Sequence, residues 1–412
     1  MDVAVLLGGR SPEHDVSLAS AMQVLRHLDR QRWRVWPVLL DREGRWSPSR
    51  KPLSHADASP APEATDHATH EHRDDWLPSD ARLRLPPMRA GAALDWLLET
   101  AGVDVVFPVL HGPYGEDGTV QGLLELHDVP FVGSGCAASA VAMDKLRTRQ
   151  AFAAEGIPQA RAFEPPVGSG LATSTVSGLF AQLVEAVGVP AFAKVDTSGS
   201  TVGVARIATQ ADLEAFLRDN ELQGGSRHDG NGHGGVRQSR NRRFRRWFAE
   251  QAACGEEITV AVLGNTGGTG DSAPVALPPV GIYPVDDEWF TNDAKYRPGA
   301  TEEIVPPRGL SANALEDVQK LAVRCHEALV CDGMSRTDMI VTDAGPVVLE
   351  TNTIPGMTAN SLLPLAAKAH GLSFAALLDR MIDLALAPTG LHQPGANPAP
   401  NPARAEKNHE SS

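Results

Sequence analysis

The chain has 412 residues and a formal net charge of −14. That length exceeds what one core sustains and points to two or three domains. The acidic balance argues against a whole-molecule role on nucleic acid or an anionic membrane. Four cysteines, Cys136, Cys254, Cys325 and Cys331, form neither a CxxC pair nor a secreted disulfide spacing, and no apolar run reaches the ~18 residues of a bilayer span. The chain opens directly on a strand without the basic and apolar regions of a signal peptide, so a cytoplasmic protein with reduced thiols is expected.

Asp2-Val-Ala-Val-Leu-Leu-Gly-Gly9 reads as a buried parallel strand ending in glycines. A loop, Arg10-Ser-Pro-Glu-His-Asp-Val-Ser17, leads into a helical pattern through Ala21, Val24, Leu25 and Leu28. Trp33 to Leu40 then supplies a second strand. In such α/β units ligands sit outside the carboxyl ends of the strands, which places Glu13 on a ligand-facing loop. Residues 47–80 are rich in Pro, Ala, Ser, Asp and His without an apolar period, and read as a flexible insertion. His67, His70 and His72 lie there with nothing to fix a metal geometry, so a solvated linker is the expectation. Val103 to Leu110 is another buried strand. It runs into His111-Gly-Pro-Tyr-Gly-Glu-Asp-Gly-Thr-Val-Gln-Gly122, a glycine-rich strand-to-helix loop over the same sheet edge, where glycine backbones and a helix N-terminus admit close ligand approach.

Met143-Asp-Lys145 opens a helix to about Glu155. Pro190 to Lys194 is a strand leading into Val195-Asp-Thr-Ser-Gly-Ser-Thr-Val-Gly203, with Val204 to Ala208 returning. A small hydroxyl-rich loop between antiparallel strands can fold over phosphates, although it is not a P-loop. Lys145 and Lys194 suit nucleotide phosphates as point charges, although for either one taken alone a surface lysine is the better reading. Residues 224–246 form a second insertion with six glycines and seven arginines. It lacks interleaved aromatics apart from Phe244 and reads as a solvated loop ahead of a nucleic-acid site. Strands follow at Trp247 to Gln251 and Gly255 to Leu263. A long loop holds Asp293-Ala-Lys-Tyr296 and ends at Thr301-Glu-Glu-Ile-Val-Pro306; its reach suits a lid. A helix keeps its spacing through Leu315, Val318, Leu321, Cys325 and Leu329.

Arg336 to Asn352 then reads as a hairpin turning at Asp343-Ala-Gly345. Antiparallel pairing lays Asp338 opposite the region of Glu350 to Asn352, and the two-residue period puts Arg336 beside Asp338 and Glu350 beside Asn352. Hard oxygen ligands without His or Cys suit Mg²⁺. Taken alone, an acidic surface hairpin explains the pattern as well. Helices close the chain at Ser361 and from Ser373 to Leu386, and the Pro/Asn/Ala-rich tail 389–412 reads as disordered.

Seven motifs in order carry a resemblance to the D-alanine–D-alanine ligases of the ATP-grasp superfamily. They are Leu-Gly-Gly-Arg-Ser-Pro-Glu-His-Asp-Val-Ser, His-Gly-x-x-Gly-Glu-Asp-Gly-x-x-Gln-Gly, Met-Asp-Lys, Gly-Ser-Thr-Val-Gly, Asp-Ala-Lys-Tyr, Arg-x-Asp and Glu-x-Asn-x-x-Pro-Gly-Met-Thr-x-x-Ser. The resemblance spans Met1 to Leu386. It implies an α/β and α+β, three-domain ATP-grasp fold with an N-terminal Rossmann-like domain (1–133), a central subdomain (134–250) and a C-terminal subdomain with the metal site (251–388). Nucleotide would lie between two antiparallel sheets. It also implies a homodimer that joins two D-alanine molecules at the expense of ATP, with two Mg²⁺ or Mn²⁺, for peptidoglycan precursor synthesis.

Family roles carry over residue by residue. Glu13 would hold the ammonium of the first D-alanine, with His111 lining that subsite. Lys145, Lys194, Ser200, Thr201, Glu250, Gln251, Glu257 and Lys295 would bind ATP. Asp338, Glu350 and Asn352 would hold the metals. Arg336 and the N–H of Gly356 would stabilise the oxyanion, and Ser361 with Leu362 would take the second D-alanine. Ser200 and Tyr296, linked with Glu13, would span the closing loop, and Tyr296 matches the dipeptide-forming branch. Gln251 replaces a usually charged residue, and Thr337 and Thr351 replace usually aliphatic ones. Two other readings compete: an ATP-grasp ligase with another amino- or hydroxy-acid acceptor, and a nucleotide- or RNA-binding regulator without catalysis.

Overall fold

The computed structural model describes residues 1–53, 84–165, 175–196, 203–220, 246–285, 301–358 and 361–387. The chain begins with β1 (Asp2–Gly8), α1 (His14–His27), β2 (Arg34–Leu40), β3 (Trp46–Pro48), α2 (Ala90–Trp96, widening into a π-helical turn at Leu97–Ala101), β4 (Val105–Pro108) and α3 (Thr119–Leu126). Their sheet has the order β3-β2-β1-β4, with β1 parallel to β2 and β4. β1 is apolar throughout because both of its faces are covered. Val3, Val5 and Leu7 pack with α1 through Ala21, Val24 and Leu25. Ala4 and Leu6 pack with Leu94, Leu97, Val120 and Leu124 on the other side.

The insertion expected at 47–80 begins later than its composition suggests. β3 pairs antiparallel with β2, and the pairing continues through Ser49 N to Pro37 O and Leu53 N to Val35 O. Trp46 enters the core, and the buried Ser49 hydroxyl donates to Lys51 O at 2.7 Å. Polar residues there satisfy backbone groups instead of facing water, which composition alone does not separate. Residues 54–83 lie outside the described set, as do 388–412, which hold the expected tail.

α4 (Cys136–Met143) and α5 (Lys145–Ala154) follow, joined at Asp144, whose side chain caps α5 by accepting from Arg147 N at 3.0 Å. β5 (Ala162–Phe163), α6 (Val176–Val187), β6 (Ala191–Val195), β7 (Val204–Ile207), α7 (Gln210–Asp219) and β8 (Trp247–Gln251) make an antiparallel sheet, β5-β8-β6-β7. Its core joins Leu183, Ile207, Phe216 and Trp247. β6 alternates: Ala191, Ala193 and Val195 face that core, while Phe192 and Lys194 face away, beside Phe248 and Glu250 of β8. Arg246, the last of the seven arginines assigned to the second insertion, is fixed in the structure. It donates to Asp196 Oδ2 at 2.7 Å and Asp144 Oδ2 at 2.8 Å. Residues 221–245 are outside the described set.

β9 (Glu256–Leu263), β10 (Val275–Ala276), β11 (Val280–Pro284), β12 (Thr301–Ile304), β13 (Met334–Thr342) and β14 (Gly345–Asn352) form a second antiparallel sheet, β12-β11-β9-β13-β14, with β10 on β9. Thr301–Ile304, read from sequence as the end of a long loop, is therefore a strand, with Glu303 opposite Ile282. α8 (Ala312–Ala328) covers one face of this sheet through Val318, Leu321 and Cys325, and Phe152 of α5 joins that core. α9 (Leu362–Ala369) and α10 (Phe374–Leu386) pack on its other face. There Leu263, Met334, Leu363 and Met381 share one core with Val3, Val5 and Leu25. Among the described residues no helix is long and apolar enough to cross a membrane.

Candidate active site

The expected hairpin is β13–β14. Its register pairs Arg336 with Asn352 and Asp338 with Glu350, and shifts between Asp338 and Met339. Arg336 grips Asp338 with a fork: Nε to Oδ1 at 3.0 Å and an outer guanidinium nitrogen to Oδ2 at 2.9 Å. Thr259, directly opposite Asp338 on β9, adds a hydroxyl to Oδ1 at 2.6 Å. Sequence reasoning missed Thr259. A polar residue inside the apolar run Ile258 to Leu263 was the available signal, but its meaning needs the strand register.

Cations from neighbouring elements close on the remaining acids. Lys145 Nζ, at the start of α5, lies 3.4 Å from Glu350 Oε2. Lys194 Nζ of β6 lies 2.6 Å from Glu250 Oε2, and Arg149 of α5 pairs with the other oxygen of Glu250. Arg149 was also missed, although it stands four residues after Lys145 and so shares its helix face. Burial works against the charges of Lys194 and Arg336, but the facing carboxylates outweigh it and hold both groups above their ordinary values.

The β1–α1 and β4–α3 loops form a second cluster of polar groups at the sheet edge. Ser11 Oγ donates to His111 O at 2.6 Å and accepts from Glu13 N at 3.1 Å. A Cβ at residue 112 would collide with the Glu13 carboxylate, so Gly112 is what lets that acid close over the loop. Gly112 N donates to Glu116 Oε2 at 2.6 Å. Burial first, then the charge of Glu13, pushes Glu116 up to about 8. His111 is buried and pushed down to about 4, mainly by loss of solvent and further by Arg336. Its Nε2 lies 3.1 Å from Ser20 Oγ, which also accepts from Met357 N at 3.4 Å. That chain of contacts ties the loop cluster to the segment after β14. Gly356 lies against Ser361, whose Oγ accepts from Thr358 N at 2.9 Å. The Leu362 side chain points into the core, leaving only its backbone to a ligand. Gln251 accepts from Arg161 Nε at 3.0 Å, and Glu257 sits opposite Ile340 on β13. Ser200, Thr201, Lys295 and Tyr296 lie outside the described residues.

Known proteins share both sequence and architecture with this chain. Residues 2–134 match the family described as D-ala D-ala ligase N-terminus, and residues 240–383 match D-ala D-ala ligase C-terminus. The chain is 37% identical over 405 residues to a D-alanine–D-alanine ligase of Mycobacterium bovis, covering 95% of this chain and 97% of that one. The chain belongs to the D-alanine–D-alanine ligase family. Among solved ligases of the family, the Bacillus anthracis enzyme complexed with ATP superposes with a TM-score of 0.62 at 25% identity, over 94% of this chain and 97% of that chain. A related structure, the VanG D-Ala:D-Ser ligase of Enterococcus faecalis, gives 0.64 at 28% identity, over 93% and 99%. The two antiparallel sheets are thus the ATP-grasp architecture of this ligase family.

Proposed function

We propose that this chain joins two D-alanine molecules to D-alanyl-D-alanine at the expense of ATP, through a D-alanyl phosphate, for peptidoglycan precursor synthesis. The observation that carries the reading is the meeting of three cation–carboxylate pairs, Arg336–Asp338, Lys145–Glu350 and Lys194–Glu250, in one site. Electrostatic links from Arg336 to Glu116 and His111 join the loop cluster to it. A reaction that brings a carboxylate onto a triphosphate requires dense positive charge.

In this reading Glu13 takes the ammonium of the first D-alanine. His111, neutral because it is buried, lines that pocket without adding a repelling charge. Lys145, Lys194, Glu250, Gln251 and Glu257, with Ser200, Thr201 and Lys295, hold ATP between residues 134–250 and 251–388. Asp338, Glu350 and Asn352 are the residues that would hold Mg²⁺ or Mn²⁺. The donor set fits: all ligating groups are hard oxygens, and among the described residues the buried Nδ2 of Asn352 has no hydrogen-bond partner, so no bond from it is lost if the amide turns its oxygen to a cation. Bound divalent ions would neutralise the triphosphate against the approaching carboxylate. Arg336 and Gly356 N–H then meet the oxyanion formed when the second amine attacks, and Ser361 holds the second carboxylate. Lys295 and Tyr296, outside the described residues, take in this reading the family's role of keeping water from the acyl phosphate.

Purified protein should release ADP in a D-alanine-dependent way and yield a product with the mass of the dipeptide. No stimulation by D-alanine would reject the reading. The likeness to a D-Ala:D-Ser ligase keeps a second reading, another acceptor, and the same assay run with D-serine and D-lactate separates the two.

A further inference from the structure

Arg149, a cation of this cluster, has no part in the reaction as described, yet its guanidinium is held from both outer nitrogens. It lies on α5, whose Phe152 packs into the core under the β9–β14 sheet. Its guanidinium reaches across to the other sheet. One outer nitrogen pairs with Glu250 of β8, the other donates to Ala160 O at 2.8 Å, and the group lies 5.9 Å from the Phe248 ring centroid. Its carbonyl accepts from Gln159 Nε2 at 3.0 Å, and Gln159 bridges to Val348 of β14. A planar fork with partners on both outer nitrogens is a fixed charge.

Lys194 differs in kind. Its ammonium, on a flexible stem, has Glu250 as its ion-pair partner at 2.6 Å. Glu250 is the shared group, with its side chain only 5% exposed. A buried carboxylate strongly resists losing its last counter-ion. If Lys194 were its only partner, turning that lysine to a phosphate would strip Glu250 bare, and the bare carboxylate would repel the phosphate as well.

We propose that Arg149 is a positioning residue of the nucleotide site, holding Glu250 across the cleft so that Lys194 can turn to a phosphate oxygen. This rests on the reading above that nucleotide binds between the two sheets. Arg149 acts through Glu250 and Lys194 and needs no contact with the ligand.

The test is calorimetric titration of ADP in magnesium buffer into the full chain and its variants, with circular dichroism and thermal midpoints to confirm folding. Arg149→Ala should weaken ADP by about tenfold, the scale of one hydrogen bond to a charged group. Arg149→Lys should recover most of that loss, because it restores the charge. In a Glu250→Gln background there is no carboxylate to hold, so adding Arg149→Ala should change ADP affinity by no more than about twofold. Equal losses in both backgrounds would reduce Arg149 to a packing role and overturn the proposal, as would an Arg149→Ala protein that binds ADP normally. Lys194→Ala separates the two levels: unchanged ADP affinity there removes the nucleotide from this site, and the parent reading falls with it. If Arg149→Ala does not fold, Arg149→Gln in the two backgrounds gives the same comparison.

Discussion

Arg336 and Asp338 are tied by two hydrogen bonds from one guanidinium, and each is asked to serve a different ligand. An oxyanion role for Arg336 therefore requires the pair to loosen as substrates arrive. Arg336→Lys keeps the charge and loses the fork, and should lower kcat by roughly 10²–10³ in the ADP-release assay, the usual loss for one oxyanion donor. Glu116 carries a pH signature. Its folded state keeps a proton up to about 8, while the unfolded chain loses it near the ordinary 4.5. Between those values the folded state binds more protons, so raising the pH removes stability; the contribution is full below 4.5 and gone above about 8. Glu116→Gln should flatten that decline, seen as thermal midpoints that stay level across the window where those of the unmodified chain fall.

At the scale of elements, the hairpin was legible because a two-residue period and one turn fix which side chains share a face. The loop residues Glu13 and His111 were legible for a similar reason: two buried strands running into glycine-containing loops place them at one sheet edge. Thr259 and Arg149 were not, since their roles depend on which strand lies beside β13 and how α5 is rotated, neither of which a local pattern encodes. β12 was read as loop because four residues beginning Thr-Glu-Glu carry no apolar alternation, and its pairing with β11 decides the matter. The boundary of the Arg-rich insertion was set by composition and took in Arg246, which in fact pins Asp144 before α5 to Asp196 after β6. Deleting Gly224 to Arg240 while keeping Arg246 should leave D-alanine-dependent ADP release within about twofold, the outcome expected of the solvated insertion that its composition suggests. A large loss would assign the insertion a role in catalysis.

Across the whole molecule, α10 is stitched to the N-terminal sheet. The buried Trp33 donates its indole N–H to Asp379 at 2.6 Å, and Arg32 pairs with Asp383 at 2.5 Å and lies 3.6 Å from Asp379. Asp379→Ala leaves that indole unpaired and should cost about 1–3 kcal/mol, read as a lower thermal midpoint with ADP affinity unchanged. The same junction bears on how the chain is made. Val3 and Val5 share a core with Met381 and Ile382, so the first strand meets its last partners only when nearly four hundred residues are translated. At ~5–20 residues per second, the ribosome holds β1 and α1 with one apolar face uncovered for tens of seconds. Nascent chains stopped before α10 should therefore bind chaperones or aggregate, even though every strand of the first sheet has already emerged.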